Sequence, residues 1–409
     1  MKAHIVSLGC PKNLVDTESL MTKLGQMGYI FTNLPAEADL ILVNTCAFLQ
    51  SAKDEAIATI REMAKYKTKG KCKYLIAAGC LPQRYKHELP KILPKVDAFI
   101  GTPRSHSFIH SNNSLIKATP PWFAYVKIAE GCSNRCAYCV VPSIRGALKI
   151  RPMKDILAEV KLLAKTGVKE IIYIAQDTAV YPNFPQLLKL TGKIKGVHWI
   201  RIMYAHPAHV TDKIINVMAK EKKIVKYLDL PIQHCSDKIL KLMKRRYLRP
   251  ALENLILKIR RKIPDITLRT SLIAGFPGEG EAEFAELLAF IRKVKFNRLG
   301  VFTYSREPGT PAYKMRGQVA AKIKQERLHR LMRVQARISR ELNQKMIGQL
   351  IEVLIEKRTA AGYVGRSPMD APEIDGSVLV RSPHSLKPGE IVKARITRAG
   401  TYDLFGFVT

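Results

Sequence analysis

The run AEGCSNRCAYCVVPSIRG, residues 129–146, places three cysteines at Cys132, Cys136 and Cys139, with three and then two residues between them. Three thiolates on one tight loop grip three irons of a four-iron cluster. The fourth iron is then left without a protein ligand and stays open to a small molecule. A closed structural metal site wants four protein ligands, commonly as two CxxC-like halves. No second half lies near this loop, so a zinc loop with a distant fourth ligand stands only as the alternative. The loop directly follows an apolar run, FAYVKIA (123–129). Five more such runs come after it: VKEIIYIA (168–175), VHWIRIMY (197–204), VKYLDLPI (225–232), ITLRTSLIAG (266–275) and LGVFTY (299–304). Helical patterns follow the first five, for example PMKDILAEVKLLAKTG (152–167) and EAEFAELLAFIRKVK (281–295). Six strands alternating with helices predict an open (β/α)6 barrel, whose active site lies at the strand carboxyl ends. The cysteine loop sits at the first of those ends.

Other polar residues fall at the same edge. Gln176 and Asp177 follow the second strand, His206 the third, and Gln233 and His234 the fourth. Each is a candidate contact for a bound small molecule, against the ordinary alternative of a satisfied loop residue. The sequence SLIAGFPGE (271–279) puts glycines where backbone must approach a ligand closely. Tyr138, just before the last cysteine of the loop, is placed to pack on a flat ligand group.

Upstream, three apolar runs each end in a cysteine: HIVSLGC at Cys10, ADLILVNTC at Cys46 and KYLIAAGC at Cys80. Helical patterns, DTESLMTKLGQMGY and QSAKDEAIATIREMAKYK, separate them. This is the period of βαβ units, and right-handed crossovers make the strands parallel. All three cysteines then emerge at one sheet edge, in the crevice where open α/β sheets bind ligands. A second three-thiolate site with one open iron is predicted there. The alternative is that small apolar cysteines merely suit strand ends. Cys72 and Cys235 fit neither triplet and read as ordinary structural cysteines.

Downstream, residues 318–346 read as one long basic helix that connects domains and packs along the barrel edge, its arginines forming a solvated face. Five short strand-like runs follow: QLIEVLIEK, GYVGRS, GSVLVRS, EIVKARITRAG and TYDLFGFVT. They predict a small closed β-barrel, resembling the OB type. The whole is an α/β multidomain chain: residues 1–118 a parallel α/β sheet domain, 119–344 the partial barrel with its linking helix, and 345–409 the small β-barrel.

The formal net charge is +34, from 68 Lys and Arg against 34 Asp and Glu. Residues 119–344 hold +25 of it, against +7 on 1–118 and +2 on 345–409. Such a charge predicts a polyanionic neighbourhood such as RNA or the ribosome, with a lysine-rich solvated surface as the bland alternative. No apolar run reaches the length of a membrane span, and MKAHIVSLGC is not a signal peptide. Eight cysteines without secretory context point to a reducing cytoplasm and to metal or redox use, not disulfides.

With both triplets in place, the chain resembles, from end to end, the radical S-adenosylmethionine (radical-SAM) methylthiotransferase family. Its three parts are an auxiliary-cluster domain, a radical-SAM barrel and a TRAM barrel. One branch of that family modifies adenosine beside the tRNA anticodon; the other modifies an aspartate of ribosomal protein S-twelve. SLGCPKNLVDTE (7–18), PSIRGALKIRP (142–152), AQDTAVY (175–181), FTYSREPGTPA (302–312) and DAPEIDG (370–376) are similar to the second branch. The tRNA branch typically has Gln-x-Asn after its first cysteine and lacks the acidic patch. Asp370, Glu373 and Asp375 suit a basic protein target better than RNA phosphate and are the expected substrate-binding residues. GEGEAEF (278–284) departs from the family in having Gly280 where Thr is frequent.

The resemblance implies two [4Fe-4S] clusters, one on Cys132, Cys136 and Cys139 and an auxiliary one on Cys10, Cys46 and Cys80. It implies S-adenosylmethionine (SAM) as cofactor, contacted by Tyr138, Gln176, Asp177 and Gln233. Reductive cleavage of SAM gives a 5′-deoxyadenosyl radical that takes a hydrogen from the aspartate β-carbon, an unactivated bond that acid–base groups alone cannot break. The auxiliary cluster holds the sulfur, and a second SAM gives the methyl group. No catalytic residue beyond the cluster ligands is implied. An electron donor, a sulfur donor and a monomeric, cytoplasmic enzyme complete the expectation. The rivals are a tRNA adenosine methylthiotransferase and a non-catalytic iron–sulfur protein that binds RNA or the ribosome.

Overall fold

The computed structural model describes residues 1–103 and 116–409; residues 104–115, near the end of the expected first domain, lie outside the described residues. The N-terminal sheet runs Ile30–Phe31, Lys2–Ser7, Leu40–Thr45, Tyr74–Gly79 and Ala98–Ile100, every pair parallel. Its three middle strands are the three apolar runs that end in cysteine. The edge strands, two and three residues long, are too short to show as a pattern. Leu40–Thr45 is buried at all six positions, as a central strand covered on both faces must be. The register sets Ser7 beside Asn44 and Thr45 beside Gly79, so the three strands end level and their cysteines leave at one edge.

The second sheet takes its strands in sequence order: Phe123–Lys127, Glu170–Ile174, Trp199–Ile202, Ile224–Asp229, Thr267–Ala274 and Arg298–Thr303. All neighbours are parallel, and the first and last do not pair: an open (β/α)6 barrel. Alternate residues on its outer face, among them Val126, Ile171, Ile200, Leu228 and Leu268, pack on helix residues such as Ile156, Leu187, Ile215, Ile256 and Leu287. The inner face is charged, with Lys127, Glu170, Arg201, Asp229, Arg269 and Arg298, one from each strand. Buried charge at low dielectric demands partners. The N-terminal domain supplies them at the top of the barrel and the C-terminal barrel supplies them below.

The C-terminal strands, Leu350–Thr359, Gly362–Arg366, Val378–Arg381, Ile391–Ala399 and Leu404–Val408, close into a barrel, as expected. The preceding helix, Ala321–Gln344, buries Leu331 and Ile338 against the outer layer of the open barrel and exposes Arg333, Arg337 and Arg340. The loop 366–375 enters the lower barrel. Arg366 and Arg201 share the two oxygens of Glu170, each at 2.7 Å, and Arg298 holds Asp370 at 2.6 Å. Tyr227 donates to Asp375 at 2.7 Å, with Arg269 3.6 Å from the other oxygen.

Of the three DAPEIDG acids expected to bind the target, the structure turns Asp370 and Asp375 into the barrel. Asp370 is 1 % exposed, and its carboxylate is committed to Arg298 and Ser367. Asp375 is committed to Tyr227 and the Ala371 amide. Both answer the barrel's own cations; Glu373 alone of the three is exposed, at a left-handed φ of 68°. Among the described residues no helix is long and apolar enough to cross a membrane.

Candidate active site: two thiol triplets on one crevice

Left-handed glycines shape both cysteine sites. Gly9, Gly79 and Gly131 precede Cys10, Cys80 and Cys132 at φ of 91°, 94° and 75°. A Cβ on Gly9 would stand 2.6 Å from the Cys46 Cβ, and one on Gly131 would stand 2.2 Å from the Ala147 carbonyl. Only glycine allows that turn together with that approach. Cys10 then caps the helix Pro11–Gln26, and Cys80 opens the helix Cys80–Tyr85. Helix N-termini favour thiolate charge. Cys46 lies within electrostatic reach of both Cys10 and Cys80, so the fold gathers the predicted triplet.

The loop of Cys132, Cys136 and Cys139 is pinned at its neck by a short antiparallel ribbon, with Ala129 opposite Ile150 and Glu130 opposite Lys149. The Cys132 amide bonds to Gly146 O, and Ala137 is tied on both sides, to Met243 O and from the Ala312 amide. The three thiols again lie within mutual electrostatic reach. Burial pushes the Cys46 thiol up to about 11 and Cys139 up to about 12, and raises Cys80 and Cys132 too. Such thiols hold their protons at neutral pH, and loading metal must displace them.

Each triplet has one buried arginine on a sulfur. Arg145 Nη2 lies 3.3 Å from Cys80 Sγ, and Arg245 Nη1 lies 3.6 Å from Cys136 Sγ. The short helix Val141–Arg145 starts two residues after Cys139 and ends in the arginine that reaches Cys80, so one turn of helix links the two sites. The donor chemistry fits iron–sulfur clusters: three thiols and a charge-stabilising N–H at each site. Cys72 and Cys235 are packed in the cores of their own domains, as expected, and complete neither set.

The crevice between the triplets is lined by a charge cluster that sequence reasoning missed. Lys127, buried in the first barrel strand, bonds Asp16 of the N-terminal domain and lies 2.7 Å from Glu130. Arg145 bonds the same Asp16 and lies 3.2 Å from Glu130. Two cations and two carboxylates leave this cluster neutral. Burial pushes the Glu130 carboxyl up, but Lys127 and Arg145 together pull harder and hold it at about 2.

The predicted contact residues divide. Gln176 donates to Glu130 at 2.8 Å, and its Oε1 is buried with no partner, an acceptor aimed at the site. Gln233 sits in left-handed backbone at φ 69°, and its side chain makes no hydrogen bond among the described residues. Strain of this kind collects at functional sites. The Tyr138 ring stands edge-on to Phe276, and Arg245 donates to its hydroxyl. Asp177 has no free face, because its oxygens accept from Asn134 Nδ2 at 2.9 Å, His209 Nδ1 at 2.7 Å, and the Ala179 and His206 amides. It braces Asn134 of the cysteine loop. Burial, with the Arg245 charge behind it, pushes His206 down to about 3, so that ring stays neutral. His234 is wholly buried and caps Ser236. At Gly280, Glu283 reaches back to the backbone amide at 2.7 Å, half of a capping box that threonine would complete.

Comparison with known proteins agrees with this geometry. Residues 2–101 match the uncharacterized protein family UPF0004, 126–291 the radical SAM superfamily and 347–408 the TRAM domain. The ribosomal protein uS12 methylthiotransferase RimO of Desulforamulus reducens is 47 % identical over 98 % of both chains. RimO of Geobacter sulfurreducens is 45 % identical over 99 % of this chain and 98 % of its own. Among solved structures, the radical S-adenosylmethionine methyltransferase TsrM from Kitasatospora setae shares the fold at TM-score 0.56 and 12 % identity, covering 93 % of this chain and 80 % of its own. Identity at that level over whole chains, with the cysteines where the fold needs them, makes the chain a member of the RimO family of radical-SAM methylthiotransferases.

Proposed function

We propose that the protein inserts a methylthio group at the β-carbon of an aspartate in ribosomal protein uS12. The observation that supports this most is the convergence of two three-thiol sites, one from each domain, on one crevice, in a chain 43–47 % identical to proteins named for that activity. Cys132, Cys136 and Cys139 would hold one iron–sulfur cluster, which would supply the one-electron chemistry for cleaving SAM, and Cys10, Cys46 and Cys80 would hold a second, which would supply the sulfur to be transferred. The chain's own part is to hold and aim. Gln176, with its free Oε1, Gln233, with its free amide, and Tyr138 are the residues that would contact SAM. Asp177 fixes Asn134 and so the cysteine loop. The Val141–Arg145 helix keeps the two sites at a set separation, which is what orients radical, sulfur and target carbon together.

We further assign the divisions 1–118, 119–344 and 345–409 as functional domains, and expect a monomeric cytoplasmic enzyme served by external electron and sulfur donors. The +25 charge of residues 119–344 suits the rRNA around uS12, and it is also the one feature that favours tRNA. Intact mass spectrometry of small-subunit proteins from cells with and without the enzyme decides. A methylthio-sized gain on uS12, present only with the enzyme, supports the proposal. A methylthio-adenosine in tRNA digests, with uS12 unchanged, overturns it.

A further inference from the structure

Lys12 breaks a local rule. It stands in the first turn of the helix Pro11–Gln26, where the backbone amides already present positive charge and a cation is disfavoured. Its ammonium rests 3.3 Å from the centroid of the Tyr204 ring, in the barrel mouth, two residues from Cys10. Among the described residues Lys12 makes no ion pair and no hydrogen bond through its side chain. The carboxylates within its electrostatic reach are committed elsewhere. Asp229 is held by Arg269 at 2.9 Å and by the Tyr204 amide at 3.0 Å, and Glu130 by Lys127 and Gln176. The Asp16–Lys127–Glu130–Arg145 cluster is already neutral, so Lys12, like Arg245, has no carboxylate of its own among the described residues; burial lowers its pKa, and Cys10 exerts the strongest charge effect on it. Its platform is built for it: Tyr204 lies in left-handed backbone at φ 61°, locked there by the Asp229 carboxylate on its own amide. Strain at a barrel mouth that carries an unpaired cation on an aromatic face marks a place for an anion brought from outside.

We propose that Lys12 is the specificity-determining residue that receives the carboxylate of the target aspartate, with the Tyr204 ring as floor. This deepens the proposed function and rests on it. An ammonium at this point holds the target side chain beside Cys10 and separates aspartate from asparagine, because a carboxylate supplies the charge partner that Lys12 lacks and a neutral amide does not.

The test uses holoenzyme loaded to wild-type iron content and peptides spanning the uS12 target loop, with Asp or Asn at the target position. Dissociation constants come from fluorescence anisotropy. Wild type should prefer the Asp peptide by about tenfold or more, the scale of one charged hydrogen bond. Lys12→Met should weaken Asp-peptide binding by that factor and leave Asn-peptide binding unchanged; Lys12→Arg should keep the preference. If Lys12→Met retains the preference, or loses both peptides equally, the proposal fails. It also fails if the variant binds peptides normally and shows only an altered auxiliary-cluster electron-paramagnetic-resonance signal, since Lys12 would then serve the cluster. Wild type that modifies uS12 while Lys12→Met still discriminates overturns this inference alone. Wild type that leaves uS12 unmodified overturns the proposed function, and this inference with it.

Discussion

The two thiol triplets reach the same chemistry by opposite routes. Cys132, Cys136 and Cys139 share one eight-residue loop, necked by a two-residue ribbon, so their arrangement is nearly a local property of the chain. Cys10, Cys46 and Cys80 span seventy residues and meet only because three parallel strands end level. Their arginines differ too. Arg145 is neutralised by Asp16 and Glu130, side chains from two domains. Among the described residues Arg245 hydrogen-bonds through its side chain to the hydroxyls of Tyr138 and Tyr247, the Pro231 carbonyl and the Cys136 sulfur. The scattered site thus depends on the docked domains for its geometry and its charge balance. Among the described residues the local site has no carboxylate on its arginine.

The largest expected effect separates the sites outright. Cys136→Ala should abolish SAM cleavage and leave auxiliary iron in place; Cys46→Ala should leave SAM cleavage and abolish methylthiolation. Chromatography of 5′-deoxyadenosine and mass spectrometry of uS12 read the two outcomes, and intact methylthiolation by either variant refutes the assignment of that cysteine.

The arginines should differ in kind. Arg145→Met strands part of the Asp16 and Glu130 charge in the interior and should cost about 3–5 kcal/mol in urea unfolding, the scale for breaking a buried pair. Arg245→Gln strands no carboxylate and should cost about 1–3 kcal/mol. It should also lower the midpoint potential of the SAM-binding cluster, because an N–H donor to sulfur is lost. Equal destabilisation by both variants would erase the contrast in charge balance.

A smaller, pH-dependent effect comes from Glu130. Glu130 sits at about 2 against an ordinary carboxyl near 4.5. A carboxylate depressed in the folded state contributes stability that is full above its unfolded value and lost as pH falls toward its folded one. The urea midpoint should therefore hold from pH 7 to about 5 and decline from there toward pH 2. The decline should be shallower in Arg145→Met, where less charge holds Glu130 down.

What the sequence revealed follows the same division. The strand and helix periods, the loop cysteines and the five strands of the last barrel are local patterns, and they read through directly. The strand-end cysteines also read through, because parallel βαβ topology fixes which ends are neighbours. The charge cluster did not. Asp16 pairs with Lys127 and Arg145 across 111 and 129 residues, and no periodicity announces such a pair. Asp370 and Asp375 were legible as acidic but not as buried, because their partners Arg298 and Tyr227 lie on barrel strands 72 and 148 residues away, with Arg269 between them. Lys12 lay in a recognised stretch, yet its lack of a carboxylate partner shows only once each nearby carboxylate has been matched.

The most direct test counts iron and sulfide after anaerobic reconstitution of wild type and two triple variants, Cys10→Ala/Cys46→Ala/Cys80→Ala and Cys132→Ala/Cys136→Ala/Cys139→Ala. Two independent sites on one crevice predict two four-iron clusters in wild type and one in each variant. The variant that keeps the loop cysteines should still cleave SAM. A single cluster in wild type, or loss of all iron from either variant that remains folded, would contradict the account.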